Sequence, residues 1–283
     1  SSSESKSDSS FMVTIDPTQG EPPRSFDEER EGQRVICGLD ISGSTSNGIL
    51  GGSYYAPRGQ NILNSEIQIL ELIAGNSRTI PWDNMARSIV NGPRGYTEGP
   101  RGGTRPSAIF SHQEALNSAS TFVMTTDGEV SQGEVVAFTQ LVNQRLGNIG
   151  FTICILVAPR RNRPADANVS VFAPLLAGNS ILVSWDSRDL RLLRASGTAI
   201  AHFSSPTLNA STRWNDLPRI DIQQIRDFRY STGIQGPPGF SNVGLNNQGQ
   251  PVFINLNEMM RRQMRVEQFR ALPWDGILQS ARS

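Results

Sequence analysis

Five residues of this chain carry oxygen donors at spacings that could hold a hard cation. Asp40, Ser42 and Ser44 alternate along Asp40-Ile41-Ser42-Gly43-Ser44. An extended segment would project that carboxylate and both hydroxyls to the same side. Thr104 ends the run Gly102-Gly103-Thr104, and Asp127 sits between Thr125-Thr126 and Gly128. Together they form an all-oxygen set, which Mg²⁺ selects and with which Mn²⁺ is compatible. Other chemistries lack their parts. Neither His112 nor His202 adjoins a recognisable nucleophile elbow, and each reads as a surface or structural imidazole. Cys37 and Cys154 each lie inside an apolar run and read as buried free thiols, too few for a thiolate metal site or a disulfide scaffold. No phosphate-binding G-x-x-x-x-G-K-[ST] occurs, and no G-x-G-x-x-G follows the first apolar run.

These residues need elements to position them. VICGLDIS (35–42), STFVMTTDG (120–128), FTICILVAP (151–159) and NSILVSW (179–185) are short apolar runs, the pattern of strands buried on both faces. SRTIPW (77–82) is a further strand, and Pro81 predicts that it ends early or lies near an edge. SEIQILELIA (65–74) reads as an amphipathic helix capped by Ser65, with apolar residues at 67, 69, 70, 72 and 73. RPSAIFSHQEALNSA reads as a helix with Pro106 in its first turn. Residues 131–150 form a helix with apolar positions at 135, 138, 142 and 146, and DSRDLRLLRASG after the fourth run also reads as helical. Strands alternate with helices from 34 to about 200, which implies an α/β fold: a doubly wound, mostly parallel central sheet with helices on both faces. In such a sheet ligands bind outside the carboxyl ends of the strands, where Asp40 and Asp127 fall.

DISGS, GGT and TDG, in this order and on these elements, resemble the von Willebrand factor A (vWA) domain with its metal-ion-dependent adhesion site. Asp40, Ser42 and Ser44 match its Asp-x-Ser-x-Ser, Thr104 its loop threonine, and Asp127 its last carboxylate. The resemblance covers residues 34–200 and implies a Rossmann-like vWA fold. It implies that Ser42, Ser44 and Thr104 would bind the metal through hydroxyls, with Asp40 and Asp127 acting largely through bound waters and hydrogen bonds. Neutral ligands leave such a cation electrophilic, so it seeks an anion, typically an Asp or Glu carboxylate of a partner protein. No general base stands ready at the open position, so the expectation is a binding module and not an enzyme. The alternatives are a metal-dependent phosphate-ester hydrolase, or a scaffold with a structural or vacant site. The first is disfavoured because the position two after Asp40 is Ser42 rather than a second acid. Two departures stand out. About twenty residues (45–64, with Tyr54, Tyr55 and Arg58) intervene before the first helix, and the 91–103 loop, with Arg94, Tyr96, Glu98 and Arg101, is long.

Composition agrees with a core diluted by irregular segments: 26 Gly, 17 Pro and 37% apolar residues in 283. The 26 basic and 26 acidic side chains leave no excess charge for a general polyanion, so no nucleic-acid partner is expected. No apolar run approaches the ~18 residues of a membrane span. Reduced thiols favour a cytoplasmic or otherwise intracellular setting. Residues 1–33 read as a disordered or weakly ordered N-terminal segment with one apolar island at Phe11, Met12, Val13 and Ile15. Residues 201–283 read as an irregular extension ending in a helix with Met259, Met260, Met264, Val266 and Phe269 on one broad side, packed back on the domain.

Overall fold

The computed structural model describes residues 35–49, 60–146, 149–159, 163–229, 240–245 and 251–255. The apolar island at 11–15 and the helix expected at 256–274 lie outside them. The α/β reading holds: seven strands form a mostly parallel mixed sheet in the order β3-β2-β1-β4-β5-β6-β7. β1 (Val35–Asp40) lies between β2 (Arg78–Trp82) and β4 (Thr121–Thr126), parallel to both. β5 (Phe151–Val157) and β6 (Ser180–Trp185) continue the parallel series. The short β3 (Val90–Asn91) and β7 (Leu190–Ser196) close the two edges antiparallel. Every residue of β1, β4, β5 and β6 is buried, which is why these runs are apolar without alternation. β3 pairs only with Arg78 and Thr79, so Pro81 sits where β2 has lost that neighbour and its missing N–H costs no ladder bond.

Alternate strand residues feed two apolar clusters. Val35, Cys37 and Leu39 join one with α1 (Ile62–Ala74), while Ile36 joins the other with Phe110, Leu116 and α3 (Gln132–Arg145). Helix α1 starts three residues before the expected Ser65. The Asn61 side chain accepts the Asn64 N–H at 2.9 Å and caps it, leaving Ser65 buried inside the helix. Its buried stripe is Ile62, Leu63, Ile69, Leu70, Ile73 and Ala74, whereas Leu72, expected to be apolar-facing, is exposed. Each large side chain of that stripe contributes about 1.5–3 kcal/mol. The Pro106 helix begins as 3-10 turns (Pro106–His112) and becomes α2 (Gln113–Asn117). On α3, Val135, Phe138 and Val142 are buried as their spacing requires, and Phe138 stacks on Phe110 with centroids 5.9 Å apart.

The expected helix at DSRDLRLLRASG is instead the edge strand β7. Asp186 Oδ1 accepts the N–H groups of Arg188 (2.9 Å) and Asp189 (2.7 Å), and Ser187 takes φ 74, which turns the chain back on β6. A register shift at Leu182/Val183 interrupts the pairing opposite Leu193, and Leu190, Leu192, Leu193 and Ala195 are all buried. Burial from both sides overrides the helical propensity of the Leu/Arg string. Beyond residue 200, Phe203, Leu217 and Ile225 enter the same two clusters, Ile225 from α4 (Ile222–Arg229). The stretch read as irregular also contains a hairpin, β8 (Phe240–Leu245) with β9 (Pro251–Asn255).

Candidate metal centre

β1 and β4 run parallel with Leu39 opposite Thr125, so their carboxyl ends deliver Asp40 and Thr126-Asp127 side by side. Asp40 is fully buried. Its Oδ1 accepts the Ser42 N–H at 2.9 Å, and its Oδ2 accepts the Thr126 hydroxyl at 2.8 Å. Past Asp40 the chain does not stay extended, as the alternation had implied; it tightens into a 3-10 turn over Gly43–Ser46. The hydroxyls of the turn explain this. Thr45 Oγ1 donates to Ser42 O and Ser46 Oγ to Gly43 O, both at 2.7 Å. The turn still brings Ser42 Oγ and Ser44 Oγ within 3.3 Å, and Ser44 Oγ donates to Asp127 Oδ2 at 2.7 Å. Asp40, Ser42, Ser44 and Asp127 therefore form one hydrogen-bonded group.

Asp127 is itself aimed by a local turn. Its Oδ1 accepts the Glu129 N–H at 3.0 Å, and the Gly128 N–H donates to Thr126 Oγ1 at 3.2 Å. Gly128 takes φ 81, and a Cβ there would strike the Asn168 carbonyl.

Thr104 is brought near by main-chain bonds. The loop is tied to the β1 end by Gly43 N–H to Gly102 O (3.0 Å) and Arg101 N–H to Ile41 O (2.7 Å). Beyond Thr104, the Arg105 N–H donates to Asp83 O at 2.8 Å. Gly102 has φ 75, and a Cβ there would overlap Asp83 and Asn84. Among the described residues no hydrogen bond joins the Thr104 hydroxyl to the Ser42–Ser44–Asp127 group. Of the loop residues that could have bordered the site, Tyr96 is buried with its hydroxyl on Gly99 O, while Arg94, Glu98 and Arg101 are exposed. Tyr54, Tyr55 and Arg58 lie outside the described residues. The stem of their loop is closed by a Gly48–Asn61 bridge and by Asn47 Nδ2 donating to Ser44 O at 2.9 Å.

Electrostatics set this group apart. Burial pushes the Asp40 carboxyl up to about 7, the negative charge of Asp127 adds to the rise, and hydrogen bonds from Ser42 and Thr126 oppose it. A third acid, Glu66 on α1, is fully buried and raised well above its ordinary value, first by burial and then by Asp40. Sequence reading passed over Glu66 because its neighbours are apolar. The signal was there: with Leu63, Ile69, Leu70 and Ile73 on one face, position 66 falls on the buried stripe. Thr126 was likewise read as strand, not as a donor to Asp40. The imidazoles are elsewhere: His112 Nε2 bonds Arg87 O at 2.8 Å, and His202 is exposed. Cys37 and Cys154 are buried free thiols; burial pushes Cys37 up to about 12.

The donor set suits a hard cation through hydroxyls rather than through a cage of acids. Among the described residues no three His, Cys, Asp or Glu side chains are grouped as a metal-holding cluster. The misfit a cation would relieve lies behind the hydroxyls: among the described residues Asp40 is buried without a basic partner, and Glu66, which feels the charge of Asp40, has no hydrogen bond of normal geometry on either oxygen.

No family model matches the chain. Over 136 residues it is 25% identical to protein R626 of Acanthamoeba polyphaga mimivirus, an uncharacterized protein. The match takes in 44% of this chain and 23% of the viral protein, so the chain spans about a quarter of that protein's length. No helix among the described residues is long and apolar enough to cross a membrane.

Proposed function

We propose that this chain is a metal-dependent protein-interaction module of the vWA type, a doubly wound Rossmann-like domain that engages an Asp or Glu of a partner protein at an adhesion site. The observation that carries the reading is the hydrogen-bonded group Asp40–Ser42–Ser44–Asp127 at the ends of two adjacent parallel strands. Ser42, Ser44 and Thr104 would hold Mg²⁺ or Mn²⁺, with Asp40 and Asp127 behind them. The ion would supply an electrophilic contact for a carboxylate.

The protein's own part is positional. Asp40 fixes the Ser42 main chain, Asp127 fixes the Ser44 hydroxyl, and the Gly102 carbonyl holds the turn at Gly43. The same bonds support binding over phosphate-ester hydrolysis. Asp40, where a nucleophile would sit, is fully buried and spends both oxygens on Ser42 and Thr126, and neither imidazole reaches the site.

The test is retention of the protein on an array of acidic peptides. Retention is expected in Mg²⁺, with release by EDTA and loss in Ser42→Ala. Undiminished retention in EDTA would sink the metal-bridged reading. Turnover of a generic phosphate ester that needs Mg²⁺ and Asp40 would replace it with the hydrolase.

A further inference from the structure

Glu66 occupies a place where an acid is expensive. It lies on the stripe of α1 that otherwise buries Ile62, Leu63, Ile69, Leu70 and Ile73, and its residue has no exposed surface. Neither Oε1 nor Oε2 has a hydrogen-bond partner. Asp40, equally buried, accepts two hydrogen bonds. The charges that act on Glu66 belong to Asp40 and Asp127 and have its own sign. The Thr125 side chain and the Asp40 main chain lie close enough to temper this, although neither makes a hydrogen bond of normal geometry to either oxygen, and no basic side chain pairs with it among the described residues. A buried carboxyl without a well-formed hydrogen bond or a counter-charge costs several kcal/mol unless something outside the chain repays it. An apolar residue at this position would pack the helix on the sheet at no such cost.

Resting on the metal-site reading above, we infer that Glu66 is a further part of that site: a positioning residue, not a ligand, whose buried charge with those of Asp40 and Asp127 sets the affinity for a divalent cation. The direct donors stay neutral, so the ion keeps its appetite for a partner carboxylate. The three acids behind them supply the potential that draws the ion in and holds it. Residues behind the ligands of a metal commonly change its affinity by roughly 10- to 100-fold.

The test measures Mn²⁺ binding to the whole chain by electron paramagnetic resonance of the free ion, beside thermal melting of the metal-free protein. Wild type is expected to bind Mn²⁺, and Ser42→Ala to weaken it. Glu66→Gln, which keeps the shape and removes the charge, is expected to weaken Mn²⁺ by roughly 10- to 100-fold. Glu66→Leu, which suits the apolar stripe, is expected to weaken it as much while raising the metal-free melting temperature. That opposition of signs is what a purely structural residue would not produce. Mn²⁺ affinity at the wild-type level in both Glu66 variants, with Ser42→Ala weakened, would overturn the role of Glu66 and leave the metal site standing. No Mn²⁺ binding by wild type would overturn both.

Discussion

Two aspartates stand at the carboxyl ends of neighbouring parallel strands, and the fold treats them in opposite ways. Asp40 ends β1, Asp83 follows β2, and both are fully buried. Asp83 has its counter-charge four residues on: Arg87 donates Nε–H to Oδ1 at 3.2 Å and Nη2–H to Oδ2, and the Met85 N–H adds a third bond at 3.1 Å. Among the described residues Asp40 is held only by neutral donors, and it feels the like charge of Asp127. The first arrangement is an ion pair that fixes the turn on which Gly102 rests. The second leaves a carboxyl that no basic side chain among the described residues neutralises. Burial alone therefore does not separate the two carboxylates; the counter-charge does, and the proposed function rests on that difference.

The strongest way to break this contrast is to remove the internal counter-charge. Arg87→Met leaves the buried Asp83 without its counter-charge, and a clear loss of stability, the largest among these variants, is expected by urea denaturation. The loss comes from the fully buried Asp83, since the Arg87 side chain is itself partly exposed. Asp40→Asn in the same assay is expected to cost nothing or to stabilise the metal-free protein. A large loss from Asp40→Asn would show that Asp40 is structural too.

Acidity probes the same contrast with a smaller effect. The Asp40 carboxyl is raised from 3.8 to about 7. Between these values the folded chain holds a proton that the unfolded chain has released, so stability is greatest on the acid side and falls as pH rises through 7. A drop of about 2 kcal/mol between pH 5 and pH 8 is expected in EDTA from Asp40, and Glu66, also raised by burial, adds to it in the same direction. Asp40→Asn should flatten the slope, and Mg²⁺ should offset it. Stability that rises across this interval would mean that Asp40 is ionised throughout.

The sheet was legible because its central strands are buried on both faces and so appear as unbroken apolar runs, and those of β1 and β4 end at the polar residues of the site. Asp40, Ser42, Ser44 and Asp127 were legible for the same reason: strand ends fix where they fall. β7 was not, since Leu190, Leu192 and Leu193 satisfy a helical pattern as well as a strand buried from both sides. The 3-10 turn at Gly43 was hidden because it depends on which carbonyls the Thr45 and Ser46 hydroxyls reach. Glu66 was missed for a different reason: listing apolar positions does not flag the one polar residue that shares their face.

The placement of Thr104 gives a finer cut. Gly102→Ala demands a positive φ from a residue with a Cβ and pushes that Cβ onto Asp83 and Asn84. A loss of about 1–2 kcal/mol is expected, with weaker Mn²⁺ binding, because the loop shifts away from Gly43. If affinity survives while stability falls, Thr104 does not contribute a ligand.

Ser44→Ala should show the least in the metal-free protein. It removes the bond to Asp127 from a partly exposed hydroxyl, and the cost by urea denaturation should stay below about 1 kcal/mol. Its effect on Mn²⁺ should be far larger, because the lost oxygen is one of the few neutral donors at the site. The ratio of the two effects is the sharpest measure of the comparison: Arg87→Met should spend nearly all of its effect on folding, and Ser44→Ala nearly all of its effect on the ion. Equal ratios for the two variants would mean that Asp40 and Asp83 head the same kind of structural turn.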